Sequence, residues 1–398
     1  MSASPSLMKQ ARVLEVESLE DFDAMVARGA TSMSGWHFQS VDLTGRSAQL
    51  KALNPSGAVF LGCSFAPGVE AWLHAGGALI FPALPGIPFD AYRSQLYTAA
   101  ELYQGLDTGE YETTPDARIY AWASAGPART SLDATLAVSL HDHAIGDALD
   151  SFCAGPDGAT RKLAGVMGGH AALRGGPVYA DAARLGRLLS RQGCTVATGG
   201  GPGAMEAANL GAYLAAADDA GFERALATLA QVPEFRPSIT GWARAAAAVL
   251  AEFPGGGASL GIPTWHYGHE PPNLFATHIA KYFANSIREA VLLQRCTAGI
   301  VFLPGAGGTV QEIFQDACEN YYATEELLSP MILVGRRYWT EQLPVWPLLC
   351  SLGEGRAMAG AIHLVDSVEE AAALMGQRVG RGGPAAAAKP TLRERPNL

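Results

Sequence analysis

Basic residues are scarce in this sequence and never form a block. The 398 residues include 28 Lys and Arg against 38 Asp and Glu, which gives a formal net charge of −10 at pH 7. A surface that binds the phosphate backbone of a nucleic acid needs clustered positive charge. The composition therefore argues against a nucleic-acid partner.

Long apolar runs are also absent. No stretch of 18 or more apolar residues occurs, and the opening residues MSASPSLMKQ lack the apolar segment of a secretory signal. We therefore expect no membrane contact and a cytoplasmic location. With 48% hydrophobic and 17% charged residues, the composition is that of a globular protein, and the length predicts two domains.

Cysteine pairs of the C-x-x-C kind are missing, so neither a zinc site nor a disulfide framework is predicted. We expect reduced thiols, several of them buried, at Cys63, Cys153, Cys194, Cys296, Cys318 and Cys350. His141-Asp142-His143 could be read as a metal-binding pair. Residues two apart on a helix point to different sides, however, and no third ligand is evident. We expect no metal.

Residues 1–155 are predicted to form a smaller α/β domain of unassigned role. Ala58–Cys63 and Ala78–Phe81 are short strand candidates, and apolar spacing over Phe89–Gly105 predicts a helix. No internal repeat of short period is visible. The stretch Gly155–Arg161 is typical of a linker or loop.

Residues 162–378 alternate strand and helix signals, which predicts a Rossmann-like, doubly wound parallel sheet with right-handed crossovers. A helix is predicted over His278–Leu293, and an alanine-rich helical excursion over Ala215–Phe253. Residues 380–398 are rich in Pro, Ala and Arg, which predicts a flexible tail. The predicted strands are Lys162–Gly169, Cys194–Thr198, Ser259–Ile262, Gly299–Leu303, Pro330–Gly335 and Ala361–Val365.

Two glycine-rich turns stand out, in Gly299–Glu312 and in Cys194–Glu206. Each follows a short apolar strand and precedes a helix. A strand, a glycine turn and a helix in that order bring backbone N–H groups and a helix N-terminus to one point, which attracts phosphate. Neither turn fits the dinucleotide fingerprint or the Gly-Lys-Ser/Thr pattern of P-loop enzymes. A single such turn is weak evidence, but two in one domain suggest a bound nucleotide.

Arg288 and Glu312 flank the predicted strand Gly299–Leu303. Arg288 alone could be a surface arginine, and Glu312 alone a first-turn acid that complements the helix dipole. Their joint placement favours function, because Arg288 precedes the buried strand and Glu312 follows the turn at its carboxyl end. Ligands of open parallel sheets bind at that edge.

At these residues the sequence resembles a known family. Residues 304–312, P-G-A-G-G-T-V-Q-E, resemble the P-G-G-x-G-T-x-x-E signature of the LOG (Lonely Guy) phosphoribohydrolases. G-G-G-P-G-A-M-E-A-A-N is similar to that family's other hallmark, and H-E-P-P-N to the larger bacterial nucleotide 5′-monophosphate nucleosidases. The resemblance covers about residues 163–375. It implies a LOG-type sheet and cleavage of a nucleoside 5′-monophosphate into free base and ribose 5-phosphate.

The resemblance also implies roles for single residues. Glu312 matches the catalytic glutamate and Arg288 the catalytic arginine of the family. Arg288 is followed by Glu289 rather than Lys, and it lies one residue farther from Pro304 than the family's arginine usually does. Ala306 replaces the second glycine of the signature, which requires a negative φ there. The residues implied to bind phosphate or nucleotide are Gly305, Gly307, Gly308, Thr309, Gly169, Gly200, Gly201, Gly203, Met205 and Glu206.

A second hypothesis is a nucleotide or cofactor carrier or sensor without chemistry, because the same fold and turns would serve it. A pyridoxal-dependent decarboxylase is disfavoured, since none of the five lysines lies beside a glycine turn. We therefore expect no cofactor. The preferred base depends on the Trp265–Asn273 loop and is left open. We expect a homo-oligomer of undetermined size.

Overall fold

The structure is a computed structural model that describes residues 14–125, 131–155, 159–266 and 270–380. The extreme N-terminus and the predicted tail beyond Gly380 lie outside the described residues. The chain forms two compact units. The first contains the described residues of Met1–Gln95 and Thr130–Asp147, and the second those of Leu96–Arg129 and Ala148–Leu398.

The first unit holds a four-stranded parallel sheet in the order β1-β2-β3-β4. Its strands are β1 Leu14–Val16, β2 Trp36–Gln39, β3 Val59–Leu61 and β4 Leu79–Phe81. Its helices are α1 Leu19–Ala27, α2 Ser47–Lys51 and α3 Val69–Ala75, with a 3₁₀ turn at Thr44–Arg46. Stacked Phe38 and Phe60, whose ring centroids are 4.4 Å apart, lie in its buried core.

A strand-and-helix unit recurs in this sheet, so the expectation of no short-period repeat is wrong. The strands begin every 20 to 23 residues. Before three of them stands a glycine with positive φ, at Gly35, Gly57 and Gly77. Gly35 N–H donates to Gly57 O and Gly57 N–H to Gly77 O, at 3.0 and 3.2 Å.

The second unit is built on a seven-stranded, all-parallel sheet in the order β11-β10-β9-β5-β6-β7-β8. Its strands are β5 Leu163–Met167, β6 Thr195–Thr198, β7 Ser259–Gly261, β8 His278–Ile279, β9 Gly299–Phe302, β10 Met331–Val334 and β11 Ile362–Val365. Strands β5, β7, β9 and β10 are fully buried, and so is β6 after Thr195, as expected for a parallel sheet covered on both faces.

Helices carry most of the connections of this sheet. The helices of the second unit are α4 Ala99–Leu102, α5 Pro115–Ser124, α7 Pro177–Arg191, α8 Ala204–Tyr213, α9 Asp219–Ala230, α10 Ile239–Glu252, α11 Asn285–Arg295, α12 Gly307–Tyr322, α13 Val345–Gly353 and α14 Val368–Gly380. Helix α6, Leu132–Ala154, has its residues up to Asp147 in the first unit and the remainder in the second. Helix α7 packs on α8 and α14, whereas α12 packs on α11 and α13. No described helix is both long and apolar enough to span a membrane.

The chain reverses direction across this sheet between β5 and β9. From β5 it runs outward through β6, β7 and β8, then returns to β9 on the other side of β5 and continues to β11. Right-handed crossovers in two opposite directions place helices on both faces. The predicted α/β class, with a Rossmann-like doubly wound sheet preceded by a smaller α/β unit, is confirmed. Such a reversal opens a crevice at the carboxyl ends of its two strands.

Two predicted helices are wrong in part. His278–Ile279 forms β8 rather than the start of a helix, because Ala280 N–H donates to Gly261 O at 2.9 Å and keeps this segment extended beside β7. Within Phe89–Gly105 only α4 is helical. Tyr97 instead forms an antiparallel bridge with Ile279. In both cases a distant strand overrides the local apolar spacing.

Leu96–Arg129 clusters with the large sheet, although the sequence predicts these residues in the first domain. Tyr103 OH donates to Pro272 O at 2.5 Å, and Tyr111 N–H donates to Thr240 Oγ1 at 2.9 Å. The predicted boundary near residue 155 stays a prediction.

Candidate active site

The turn after β9 has the geometry that its sequence requires. Ala306 has φ −102°, so its methyl group fits where the resembling signature has glycine. A Cβ at Gly305 would lie 2.2 Å from Thr309 Oγ1, which leaves no alternative to glycine. A Cβ at Gly307 or Gly308 would meet no atom within 4 Å. Packing among the described residues therefore does not require the two glycines that begin α12.

Helix α12 begins at this turn and directs its first N–H groups toward the carboxyl edge of the sheet. The first N–H groups of a helix have no intrahelical acceptor, and the helix dipole adds partial positive charge. Val310 N–H is the first to bond within the helix, to Ala306 O at 3.0 Å. The N–H groups of Gly307, Gly308 and Thr309 are therefore suited to an anion.

The structure brings the two predicted catalytic residues together. Arg288 on α11 and Glu312 on α12 approach to 3.7 Å, Nη1 to Oε1, with side chains only 12% and 15% exposed. Arg288 also donates from Nη2 to Asn285 Oδ1 at 3.1 Å. Glu289 accepts from Asn285 Nδ2 and from Gln311 Nε2, each at 2.7 Å. Glu289, which stands where the resembling signature has lysine, is therefore held by two neutral amides and also lies 3.8 Å from Arg288 Nη2.

Burial raises the pKa of Glu312 from an ordinary 4.5 to about 7. Arg288 opposes this rise in pKa, and Glu289 adds to it. A carboxyl group with a pKa near the working pH can both accept and donate a proton. The environment therefore suits Glu312 to acid–base chemistry at neutral pH.

The turn after β6 approaches the same edge and is held by Asn273 of the H-E-P-P-N motif. Asn273 N–H donates to Gly200 O at 2.8 Å, and its Nδ2 donates to Gly201 O at 3.2 Å. Nδ2 also donates to Asn209 Oδ1 at 3.0 Å, which joins the two quoted motifs. Gly203 has φ +75°, and a Cβ there would lie 2.5 Å from His170 O. Packing and backbone conformation therefore require glycine at position 203, apart from its predicted role in binding nucleotide.

The two turns meet through Gly169 and Arg288. Gly169 N–H donates to Pro304 O at 3.2 Å, and Gly169 O accepts from Ala204 N–H at 3.1 Å. A Cβ at Gly199 would lie 2.8 Å from Met205 Sδ and 3.6 Å from Arg288 Nη1. The predicted residues Gly169 and Met205 therefore lie at the crevice beside the Arg288–Glu312 pair.

Glu206, by contrast, points into the protein. It is fully buried, and Arg174 donates to both of its carboxylate oxygens, from Nε at 3.0 Å and from Nη2. Arg174 Nη1 also donates to Trp242 O at 3.0 Å. This ion pair anchors the start of α8. A direct contact of Glu206 with nucleotide stays a prediction.

Two polar residues at this edge have no role assigned from the sequence. His170 follows Gly169, and its Nδ1 lies 3.5 Å from Glu270 Oε1. A Cβ at Gly201 would lie 3.4 Å from Glu270 Oε2. The available signals were the position of Glu270 inside H-E-P-P-N and that of His170 directly after a glycine pair.

A cavity of about 350 Å³ borders His170 and the turn after β6. Its other walls come from the loop after β5, from residues 233–235 and from α10. The lining residues are His170, Ala171, Ala172, Leu173, Pro202, Gly203, Glu206, Pro233, Glu234, Phe235 and Trp242.

The described residues contain no group of three or more His, Cys, Asp or Glu side chains that could hold a metal ion. His141, of the triplet considered as a metal pair, is buried and lies 3.1 Å from Asp142. All six cysteines are free. Cys153, Cys194 and Cys296 are buried, and Cys318 is exposed.

No protein family and no curated protein matches the sequence. Among solved structures, a molybdenum cofactor binding protein from Rippkaea orientalis is 18% identical, covers 55% of this chain and 96% of its own, and has a TM-score of 0.35. A Moco carrier protein from Chlamydomonas reinhardtii is 19% identical, covers 56% and 99%, and has a TM-score of 0.34. The assignment of the fold rests on the strand order described above.

Proposed function

We propose that this chain hydrolyses the N-glycosidic bond of a nucleoside 5′-monophosphate, giving free base and ribose 5-phosphate. The observation that carries the proposal is the 3.7 Å approach of Arg288 to Glu312 in a largely buried setting. The pair stands beside a glycine turn at the carboxyl edge of the sheet, where the strand order reverses. The resemblance to LOG phosphoribohydrolases supports the same reaction.

In this proposal the turn after β9 binds the 5′-phosphate. The N–H groups of Gly307, Gly308 and Thr309 face the phosphate, and the open space beside the two glycines lets it approach the backbone. Gly305 permits the tight turn itself. A fixed phosphate aligns the ribose with the side chains that follow one turn later along α12.

Glu312 then acts on the ribose. Glycosidic cleavage passes through an oxocarbenium-like state with positive charge near C1′. A carboxylate at that point stabilises the charge, orients a water molecule and accepts its proton. A pKa of about 7 leaves Glu312 partly ionised at neutral pH and able to take up that proton.

Arg288 positions the substrate and balances charge. Its planar guanidinium is held by Asn285, and one nitrogen remains directed at Glu312. Beside a nucleotide it would also donate to the phosphate or to the ribose hydroxyls. Substitution of Arg288 by lysine would lose the planar, multiply donating geometry of the guanidinium.

The test is a panel of nucleoside 5′-monophosphates, assayed for free base and ribose 5-phosphate. We expect release from one or a few substrates, with kcat reduced at least 100-fold in Glu312→Gln but nucleotide binding retained. Glu325→Gln is the matched control, because Glu325 is exposed and outside the site. Unchanged turnover in Glu312→Gln would remove this residue from the mechanism.

The alternative, a nucleotide or cofactor carrier or sensor, is decided by the same panel. It predicts tight binding of a nucleotide by calorimetry without release of base from any substrate. A homo-oligomer remains part of the proposal, and light scattering after size-exclusion chromatography measures it directly.

A further inference from the structure

The cavity beside His170 is separate from the proposed catalytic pair. Its volume of about 350 Å³ lies at the lower end of the range for small-molecule pockets, roughly 300–1,000 Å³. Its described lining includes neither Arg288 nor Glu312, nor any residue of the turn at 305–309. A molecule bound in this cavity would therefore contact a different set of residues.

The cavity combines a fixed floor with an accessible mouth. Trp242 and Glu206 in its lining are 1% and 0% exposed. Arg174 holds both of them, since its Nη1 donates to Trp242 O and its Nε to Glu206 Oε2, each at 3.0 Å. Leu173, by contrast, is 45% exposed, and Phe235 is partly exposed. Apolar side chains left accessible beside a fixed floor are typical of a surface that takes a ligand.

Two aromatic rings in the lining suit a flat ligand. The ring centroids of Phe235 and Trp242 are 6.4 Å apart, and the ring planes are inclined by 71°. The two rings thus form a corner, in which a third ring can stack on one and meet the edge of the other. The neighbouring lining residues Ala171, Ala172 and Pro233 are small and apolar.

The cavity is lined by carboxylates rather than by lysine or arginine. Glu206 and Glu234 are in its lining, and no described lining residue is a lysine or an arginine. Arg236, whose guanidinium lies 5.5 Å from the centre of the Phe235 ring, is outside the lining. Carboxylate oxygens accept hydrogen bonds, and their negative charge repels phosphate. The lining therefore favours a ligand with N–H donors over a phosphorylated one.

We propose that this cavity binds a flat heteroaromatic ring that carries an amino group and no phosphate. The ring lies in the corner between Phe235 and Trp242, and its amino group donates to Glu206 or Glu234. Each carboxylate oxygen of Glu206 accepts one bond from Arg174 and has a second lone pair for such a donor. Free nucleobases and aromatic amines share this chemistry. The site is independent of the proposed hydrolysis.

The test uses 2-aminopurine, an uncharged amino-bearing ring whose fluorescence falls when it stacks on an aromatic side chain. Titration with the full-length protein should give saturable quenching with a Kd below about 1 mM. Phe235→Ala should weaken binding at least tenfold by removing one aromatic wall. Ala171→Phe, which fills the cavity with a larger side chain, should abolish it. Tyr322→Ala is the matched control, because Tyr322 is an aromatic residue that is 74% exposed outside the cavity, and it should keep the wild-type affinity.

Displacement of the probe identifies the natural class of ligand. Adenine stands for free nucleobases and tryptamine for aromatic amines, and displacement by at least one of them is expected. Inorganic phosphate should not displace the probe, and neither should a nucleoside monophosphate that binds the protein.

Thermal melting of each variant checks folding. Absence of quenching in the wild type, or unchanged affinity in both Phe235→Ala and Ala171→Phe, would overturn the proposal. Displacement by a nucleoside monophosphate at its own Kd would also overturn it, because the ring would then occupy the nucleotide crevice. Failure of the hydrolysis assay would leave this site unaffected.

Discussion

Glu312 has surroundings unlike those of an ordinary surface acid, with its side chain only 15% exposed. Burial raises its pKa from 4.5 to about 7, although Arg288 opposes the shift. Between these two values the folded state binds more protons than the unfolded state. The free energy of unfolding therefore decreases as the pH rises through this window. The site thus carries a cost in stability near neutral pH, as is common for catalytic groups.

We predict that Glu312→Gln removes this cost. From pH 5 to pH 8 the wild type should lose roughly 2 kcal/mol more unfolding free energy than the variant, because a shifted carboxyl contributes about 1.4 kcal/mol per pKa unit. Urea denaturation of both proteins at the two pH values measures the difference. Parallel pH dependences would mean that Glu312 has an ordinary pKa in the folded protein.

Among structural elements, the turn after β9 holds one glycine that packing requires and, at the start of α12, two glycines beside open space. Gly305 lies against Thr309 and within reach of the Gly169 backbone. Gly307 is the first residue of α12. A Cβ there would meet no described atom within 4 Å, and the φ of Gly307 is not positive. The two positions therefore make a matched pair for mutation.

We predict opposite effects of alanine at these two positions. Gly307→Ala should keep or raise stability by up to about 1 kcal/mol, since alanine favours a helix, but should weaken nucleotide binding at least tenfold by covering the phosphate face. Gly305→Ala should destabilise the fold by at least 1–3 kcal/mol through overpacking. Thermal melting and calorimetry with the best panel nucleotide measure both. Unchanged nucleotide binding in Gly307→Ala would exclude this turn as the phosphate site.

Strands that are marked by a short apolar run in the sequence could be predicted from the sequence alone. The predicted bounds of β5, β6 and β9 agree with the structure to within two residues, because each is a short, mostly buried run that ends before a glycine or, in β9, shortly before Pro304. Strand β8 could not be read, since its conformation comes from pairing with β7. Tyr97 is extended for the same kind of reason, through its bridge to Ile279.

The candidate site was predictable to a similar extent. The approach of Arg288 to Glu312 followed from their positions around one strand and from the family resemblance. The approach of His170 to Glu270 did not, because the two residues stand on loops that meet only once the order of β5, β6 and β7 is known. Sequence motifs identified residues within one turn, and the strand order supplied the contacts between turns.

At the scale of the whole molecule, the segment Leu96–Arg129 shows how far contacts depart from chain order. It clusters with the large sheet, although Thr130–Asp147, which follows it, clusters with the small one. Asp116 in this segment accepts from Lys281 Nζ at 2.6 Å and from Trp265 Nε1 at 2.9 Å. The partners in the ion pair are 165 residues apart, so no local pattern could reveal them.

This ion pair is fully buried. Asp116 and Lys281 side chains are each 1% exposed, and the ammonium lies 4.9 Å from the centre of the Trp265 ring. Burial lowers the pKa of Lys281, and Asp116 opposes that decrease. Removing one partner would leave the other charge without compensation in a dry environment.

We predict that Asp116→Ala lowers the unfolding free energy by about 3–5 kcal/mol, because it leaves Lys281 buried and unpaired. The double variant Asp116→Ala, Lys281→Met should recover part of that loss, since no charge then remains buried. Glu341→Ala, which breaks the exposed pair with Arg337, is the control and should cost less than 1 kcal/mol. Urea denaturation measures all three. A cost below 1 kcal/mol for Asp116→Ala would contradict the prediction and show that this ion pair contributes little to the stability of the large unit.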